Sequence, residues 1–516
     1  MSSWDAGYIS DIEYVPGFYK QQAPIYLNFA CMLNGYEPVS LKRGFTYCEL
    51  GCGQGLTALM LAAANPQGEF HAMDFNPAHI ARAERQVTET GLTNITFHEA
   101  GFDDFAQGRV EKLPQFDFVT MHGVYSWIND ENKAAIVTFL SRYLKPGGIV
   151  YVSYNSMPDT TAGLPLQRMF SEFSRLMPGR SDMQVERALK FATELRDSGA
   201  NFFADNKRLD YLIKTWEGEG GQYLAHEYLN AHWTPLYHAD VARDLAPAKL
   251  SHVASCILLE NFPDLTLTPE QKEILNQVQI PEIRETFKDY YLSRTLRQDV
   301  FVRGARRMSR ERQNQLFAEL QIATVVPRTD ASTKVLAPRG HIEVSAEVYG
   351  EVFDALSEGP KTMFELMALP AIQKHPESTM QEIAGILIGS NQAQPVAGPA
   401  AGTAAESLRS LNHLLCKQTR AENAQLSSAL ASQRLASAVP VTSLETLVFL
   451  GLCEGLDKDP DAFASFIWKT YEDRGERLIK DGQPVEGREN NLQHVSERLQ
   501  ELLSKKKPIW ESLGMF

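Results

Sequence analysis

At 516 residues the chain exceeds what one hydrophobic core organises, so two or three domains are expected. Its 64 acidic against 50 basic residues leave a formal charge of −14, which argues against nucleic acid as a partner, because phosphate contacts need clustered Lys and Arg. The start, MSSWDAGYISDIEY, lacks the basic-then-apolar order of a signal peptide, and no apolar run is long enough to cross a bilayer.

The six cysteines (Cys31, Cys48, Cys52, Cys256, Cys416 and Cys453) are scattered without a CxxC pair. Neither a disulfide scaffold nor a zinc knuckle is indicated. A reduced, cytoplasmic protein without membrane insertion is the expectation.

From about Arg43 short apolar runs alternate with helix-like segments. FTYCEL (45–50) reads as a buried strand, LTALMLAAA (56–64) as a helix and EFHAMD (69–74) as a strand. PAHIARAERQVTETG (77–91) is a helix closed by Gly91, followed by a strand in NITFHEA (94–100). FDFVTMHG (116–123), the helix NKAAIVTFLSRYL (132–144), the turn LKPGG and the strand IVYVSYN (149–155) continue the rhythm. Strands alternating with helices imply βαβ units and a mostly parallel sheet.

Residues 160–225 break that rhythm with three helix-like stretches and are expected to form a helical cap. A helix at 239–250 and strands at 251–259 and 297–304 resume it, so 1–325 is read as one catalytic unit. Residues 335–390 read as a small helical or winged-helix-like module, 391–407 as an Ala/Gly/Pro-rich linker, and 408–516 as a mostly helical C-terminal domain.

The chemistry concentrates in YCELGCGQG. Gly51, Gly53 and Gly55 let the backbone approach a ligand and take angles closed to residues with a Cβ. Such a loop sits at the carboxyl edge of a parallel sheet, and Asp74, ending the next strand, stands where a carboxylate accepts ribose hydroxyls. A dinucleotide prefers GxGxxG; here Glu49 precedes the glycines, repelling a diphosphate but suiting a ligand with an ammonium and a sulfonium.

This stretch resembles the class I S-adenosylmethionine-dependent methyltransferases: ELGCGQG matches their first motif, Asp74 their ribose position and LKPGG the turn before the fifth strand. The resemblance implies a Rossmann-like sheet with a helical insertion, and mostly helical C-terminal domains are expected beyond it. It also implies that S-adenosyl-L-methionine is the cofactor, with Gly51–Gly55 holding its methionine part. FHEAGFDDF puts Gly101 where many members carry an adenine-binding Asp, so Phe102 and Asp103 are the expected substitutes. Tyr19, Gln54, Phe75 and His122 complete the expected cofactor contacts.

MHGVYSWI (121–128), SYNSMP (153–158) and YLAHEYLNAHWTPLYHADVARDLAPAKL (223–250) resemble a bacterial subgroup carrying a methyltransferase regulatory domain, which includes protein-lysine methyltransferases of the rickettsial outer-membrane-protein type. A lysine of a protein substrate is therefore the leading acceptor. A small molecule or sugar, or a non-catalytic regulatory role, are the alternatives, and a homodimer through the appended helices stays open.

Tyr125, Trp127 and Tyr154 fall after the fourth and fifth strands and are expected to wall an acceptor channel, with Asn155 offering an amide oxygen and His122 a base. Tyr14 and Tyr19 are candidates for a lid. His226, His232 and His238, with Glu227, have no metal-ligand spacing and read as packed or hydrogen-bonded; no metal is expected.

Overall fold

The computed structural model describes residues 7–14, 16–204, 206–398, 405–421, 429–480 and 482–516. Seven strands form the central sheet: β1 (Phe45–Leu50), β2 (Gly68–Asp74), β3 (Ile95–Glu99), β4 (Phe116–Met121), β5 (Leu144–Asn155), β6 (Leu250–Ser255) and β7 (Leu296–Arg303). Their order is β3-β2-β1-β4-β5-β7-β6, with β7 antiparallel to both neighbours and β1–β5 parallel. The sheet is Rossmann-like and mixed. LKPGG lies inside β5: pairing jumps from Phe116↔Leu144 to Phe118↔Ile149, so the turn is a bulge within the strand.

Helices α1 (Pro24–Leu33), α2 (Leu56–Ala64), α3 (Pro77–Thr90), α4 (Phe102–Gln107) and α5 (Asp130–Tyr143) are joined to the sheet in sequence. Local chemistry sets their ends. The Asn76 side chain accepts from the Ala78 N–H at 2.9 Å, Pro77 takes the first helical position, and Gly91, with φ of 68°, closes α3. α2 is nearly all apolar because it lies between the sheet and the C-terminal region: Asn65 Nδ2 donates to the Ala436 carbonyl at 3.0 Å.

The cap contains α6 (Leu164–Ser174), α7 (Ser181–Asp197), α8 (Asn201–Ala204), α9 (Lys207–Glu217) and α10 (Gly221–Tyr228), more helices than the three read from sequence. Leu166, Phe170, Val185, Leu209, Ile213 and Trp216 give it a core of its own, which also takes Ile12 from the N-terminal segment. That segment straps the cap to the glycine loop. Asp11 accepts from the Ser181 N–H at 2.9 Å and from its hydroxyl at 2.7 Å. His226 Nε2 lies 3.2 Å from the Ile12 carbonyl, Gln54 Nε2 donates to the Tyr14 carbonyl at 2.9 Å, and Thr57 Oγ1 donates to that of Gly17 at 3.1 Å.

α11 (His238–Leu245), the helix Pro281–Lys288 and β7 enclose a buried ion network. Arg297, with no exposed surface, reaches Asp299 at 2.9 Å, Asp289 at 2.7 Å and Glu285 at 3.1 Å; Arg294 reaches Asp289 and Glu260, each at 2.8 Å.

Beyond the main sheet, β8 (Gln321–Thr324) pairs with a short strand at Lys361–Thr362 and with Ala393–Val396. The last of these falls in the segment read as a linker. Its four residues are buried, because they pair with β8, Ala393 shares a core with Leu387 and Ile388, and Gln394 Nε2 donates to the Ala438 carbonyl at 3.3 Å. The module between 325 and 391 is thus closed by strands from outside its expected limits, while 399–404 lie outside the described residues. The C-terminal helices enclose a further core around Leu447, Phe463, Leu499 and Trp510. No helix among the described residues is long and apolar enough to cross a membrane.

Candidate active site

The parallel register brings Glu49, Asp74, His122, Tyr154 and Asn155 to one edge of the sheet, where β1, β2, β4 and β5 end. There a cavity of about 860 Å³ opens between sheet, strap and cap. Crevices at strand carboxyl ends are where open α/β sheets bind ligands.

The loop after β1 has left-handed backbone at Gly51 (φ 70°), Gly53 (53°) and Gly55 (77°). The three have different jobs. A Cβ on Gly51 would lie 2.7 Å from Val124, and one on Gly55 2.5 Å from Phe97, whereas a Cβ on Gly53 would meet nothing. Gly55 therefore serves α2–β3 packing and stands outside the cavity lining, while Gly51 and Gly53 face the cavity. Asp74 Oδ2 accepts from the Gly53 N–H at 2.9 Å and its Oδ1 from the Asn76 N–H at 2.9 Å, with His79 Nδ1 at 3.2 Å.

Glu49 is 4 % exposed; Gln22 Nε2 donates to its Oε1 at 3.0 Å, and Oε2 has no hydrogen-bond partner. Burial raises its pKa to about 8, against the opposing effect of the Gln22 and Ala58 bonds. A buried carboxyl with one oxygen unanswered fits a ligand that brings an ammonium. Tyr19 stacks on His122 with ring centroids 3.7 Å apart, and Phe75 and Phe102 border the cavity beyond Asp74. These residues fit a ligand with amino-acid, ribose and base parts.

Several expectations need correcting. Asp103 sits on the exposed first turn of α4, where Arg109 (2.6 Å) and Gln107 (2.7 Å) take its carboxylate away from the cavity. His122 is no base for an amine: burial lowers its pKa to about 3, Tyr151 Oη meets its Nδ1 at 2.7 Å and Tyr19 covers its face. Tyr125 is fully buried outside the cavity, its hydroxyl donating to Asp244 at 3.4 Å. Tyr154 borders the cavity, but its hydroxyl donates to Asp299 at 2.6 Å, within the ion network. Asn155 Oδ1 accepts from Trp233 Nε1 at 3.0 Å, so it fixes an aromatic wall instead of awaiting an amine. Gln54 lines the cavity while holding the strap.

Trp127 does line the cavity, stacked on Trp233 at 6.0 Å. The remaining wall comes from sequence-distant pieces: Tyr8 and Tyr14 from the strap, Tyr223, Glu227 and Tyr228 from α10. Tyr14 and Tyr19 were the only signal for the strap wall; Tyr8 was missed, and Glu227 carried no signal beyond its place in a histidine-rich stretch.

Of the histidines, His226 and His238 are buried and bonded, but His232 is exposed. His238, His252 and Asp299 place ligand atoms within 4.8 Å of one another. Arg297 Nε at 2.9 Å from Asp299 already supplies the positive charge there that a metal would bring.

Residues 41–214 match the family model described as a methyltransferase domain, and 220–303 the predicted methyltransferase regulatory domain. The chain is 31 % identical to the protein sll1526 of Synechocystis sp. over 99 % of this chain and all of that one. The chain belongs to the class I S-adenosylmethionine-dependent methyltransferases, with a regulatory domain. This methyltransferase is also 26 % identical to RP028 of Rickettsia prowazekii, over 42 % of its own length and 86 % of the relative's. Its fold matches that of PKMT2 from Rickettsia typhi, solved in complex with AdoHcy, with a TM-score of 0.68 and 17 % identity over 97 % of this chain and 99 % of that one. S-adenosylmethionine is the cofactor of this family, and Glu49, Gly51, Gly53 and Asp74 are the residues that would hold it.

Proposed function

We propose that this methyltransferase acts on lysine side chains of a protein substrate. S-adenosylmethionine, when bound, supplies a methyl group on a sulfonium, which passes to a nucleophile by direct displacement. The chain's own work is to align the acceptor, exclude water and leave the acceptor nitrogen unprotonated. The observation that carries the proposal is the aromatic cavity continuous with the Glu49–Asp74 edge, walled by Tyr14, Tyr19, Trp127, Tyr223 and Trp233. Aromatic walls desolvate an ammonium, lowering a lysine pKa that is ~10.4 in water, and their faces tolerate the cationic product. The resemblance of 121–128, 153–158 and 223–250 to a bacterial subgroup that includes protein-lysine methyltransferases supports the same acceptor, as does the fold shared with PKMT2.

The test is incubation with methyl-labelled cofactor and a cell lysate, followed by acid hydrolysis of the protein fraction. Label recovered as methyl-lysine supports the proposal. Label confined to small molecules overturns it in favour of a small-molecule acceptor.

A further inference from the structure

Four carboxyl groups line the cavity: Glu49, Asp74, Asp159 and Glu227. Three are already committed. Glu49 and Asp74 belong to the cofactor end, and Asp159 is paired with Arg208, the one guanidinium among the lining residues. Glu227 is left. Its partner is the Tyr14 hydroxyl, at a long 3.5 Å, and no Lys, Arg or His pairs with it among the described residues.

Glu227 projects from the last turn of α10, deep in the cleft, with its carboxyl open to the cavity. The titratable groups around it come from two pieces of chain: Tyr8, Tyr14 and Tyr19 from the strap, and Tyr223, His226 and Tyr228 from α10. The tyrosines stay neutral, since burial raises all five first and the Glu227 charge raises them further, in Tyr8 after that of Asp74; Tyr19 goes up to about 12. Tyr8 packs its ring 5.9 Å from Phe75 on the Asp74 side and 5.6 Å from His226, the residue before Glu227, so this ring links the cofactor end of the cavity to the α10 end that carries the carboxyl.

We infer that Glu227 receives the acceptor's ammonium group and takes its proton, making primary alkylamines the acceptor class of this site. This rests on the reading of an amine acceptor given above. The step is a proton transfer: an N–H bond of the ammonium breaks, an O–H bond forms on the carboxylate, and nitrogen keeps the electron pair. No redox partner is needed. An ordinary carboxylate would hold the ammonium charged and unreactive, but burial raises Glu227 to about 7. The same dry surroundings lower the amine, which brings the two groups toward a common range and favours the neutral pair.

A merely structural role would be to pin the strap through Tyr14. The variants separate the two. Glu227→Gln keeps an oxygen for the Tyr14 hydroxyl and loses the charge, whereas Tyr14→Phe loses the bond and keeps the charge. Full-length protein saturated with S-adenosylhomocysteine is titrated with n-butylammonium, a probe of the lysine side chain, by calorimetry, after melting curves show each variant folded. Wild type is expected to bind it saturably, Glu227→Gln at least tenfold more weakly with unchanged S-adenosylhomocysteine affinity, and Tyr14→Phe within about threefold of wild type. No saturable binding to wild type, equal binding to Glu227→Gln, or an equal loss in Tyr14→Phe overturns the inference. The lysate-labelling experiment fails independently: label in small molecules sinks the protein-lysine reading, while the butylammonium comparison still decides the role of Glu227.

Discussion

The Gly53 N–H donates to Asp74 Oδ2 at 2.9 Å, tying the loop after β1 to the end of β2. The bond makes the ribose-side carboxylate and the methionine-side loop one unit. Asp74 holds Asn76 as well, through its other oxygen, so the start of α3 is set by the same side chain.

Replacing Asp74 by Ala removes an acceptor for two hydroxyls and loosens the loop at once. A loss on the order of 2–3 kcal/mol in cofactor affinity is expected. Asp74→Asn, which keeps one acceptor oxygen, should lose less. Calorimetry on both variants measures this, and unchanged affinity in Asp74→Ala would place the ribose elsewhere.

Glu49 predicts a proton balance. Its folded pKa is raised to about 8 by burial, whereas the same group in an unfolded chain titrates near its ordinary 4.5. The group therefore costs the apo fold nothing at low pH, and its cost grows as pH rises from about 4.5 to about 8. A ligand ammonium beside it favours the carboxylate. Cofactor binding at pH 7 should then release close to one proton, falling toward zero above about pH 9. Calorimetry in buffers of different ionisation enthalpy reads this number, and Glu49→Gln should abolish it.

The strands and the glycine loop were legible because buried parallel strands are continuous apolar runs and the loop's glycines are fixed by backbone angles. The cofactor side of the site follows from adjacent residues. The acceptor side does not: Tyr8, Tyr223 and Glu227 meet only after the strap has threaded between cap and sheet. Tyr125 and Tyr154 were misread for one reason. Tyr125 follows β4 and Tyr154 stands at the end of β5, both at the right edge, but their hydroxyls bond to Asp244 and Asp299 and are not offered to an acceptor. Ala393–Val396 was misread as linker because Ala and Pro composition hides a strand that only its distant partner β8 makes visible.

The strap should couple cofactor binding to cap order. Asp11 caps α7, and Gln54 holds the strap to the glycine loop. Hydrogen exchange in 160–225 is expected to slow when cofactor and acceptor are both present. Asp11→Ala should raise exchange in the first turns of α7 and reduce that slowing. Unchanged protection in wild type would make the cap a fixed structural element.

Arg297 carries a stability prediction. It is fully buried between Asp299, Asp289 and Glu285, so removing it strands carboxylates away from water. Arg297→Ala should lower the unfolding free energy by roughly 3–5 kcal/mol. Urea denaturation measures it, and a loss below about 1 kcal/mol would show the network reorganising or taking up water.

Trp127 separates the acceptor wall from the donor pocket. It borders the cavity on the side of Trp233, whose indole N–H is fixed by Asn155. Truncating it opens the wall to water, which favours the charged, unreactive form of an amine. Trp127→Ala should therefore lower turnover at least tenfold and leave the cofactor dissociation constant within about twofold. Tyr125→Phe, which removes only a hydroxyl bonded to Asp244 outside the cavity, should leave both unchanged. Tyr154→Ala is a poorer probe, since it also breaks into the Asp299 network and is expected to lower stability. Steady-state kinetics and cofactor titration on the first two variants, with circular dichroism to confirm the fold, decide the matter. If Trp127→Ala keeps its turnover and loses cofactor affinity, the ring belongs to the donor pocket and the acceptor enters elsewhere.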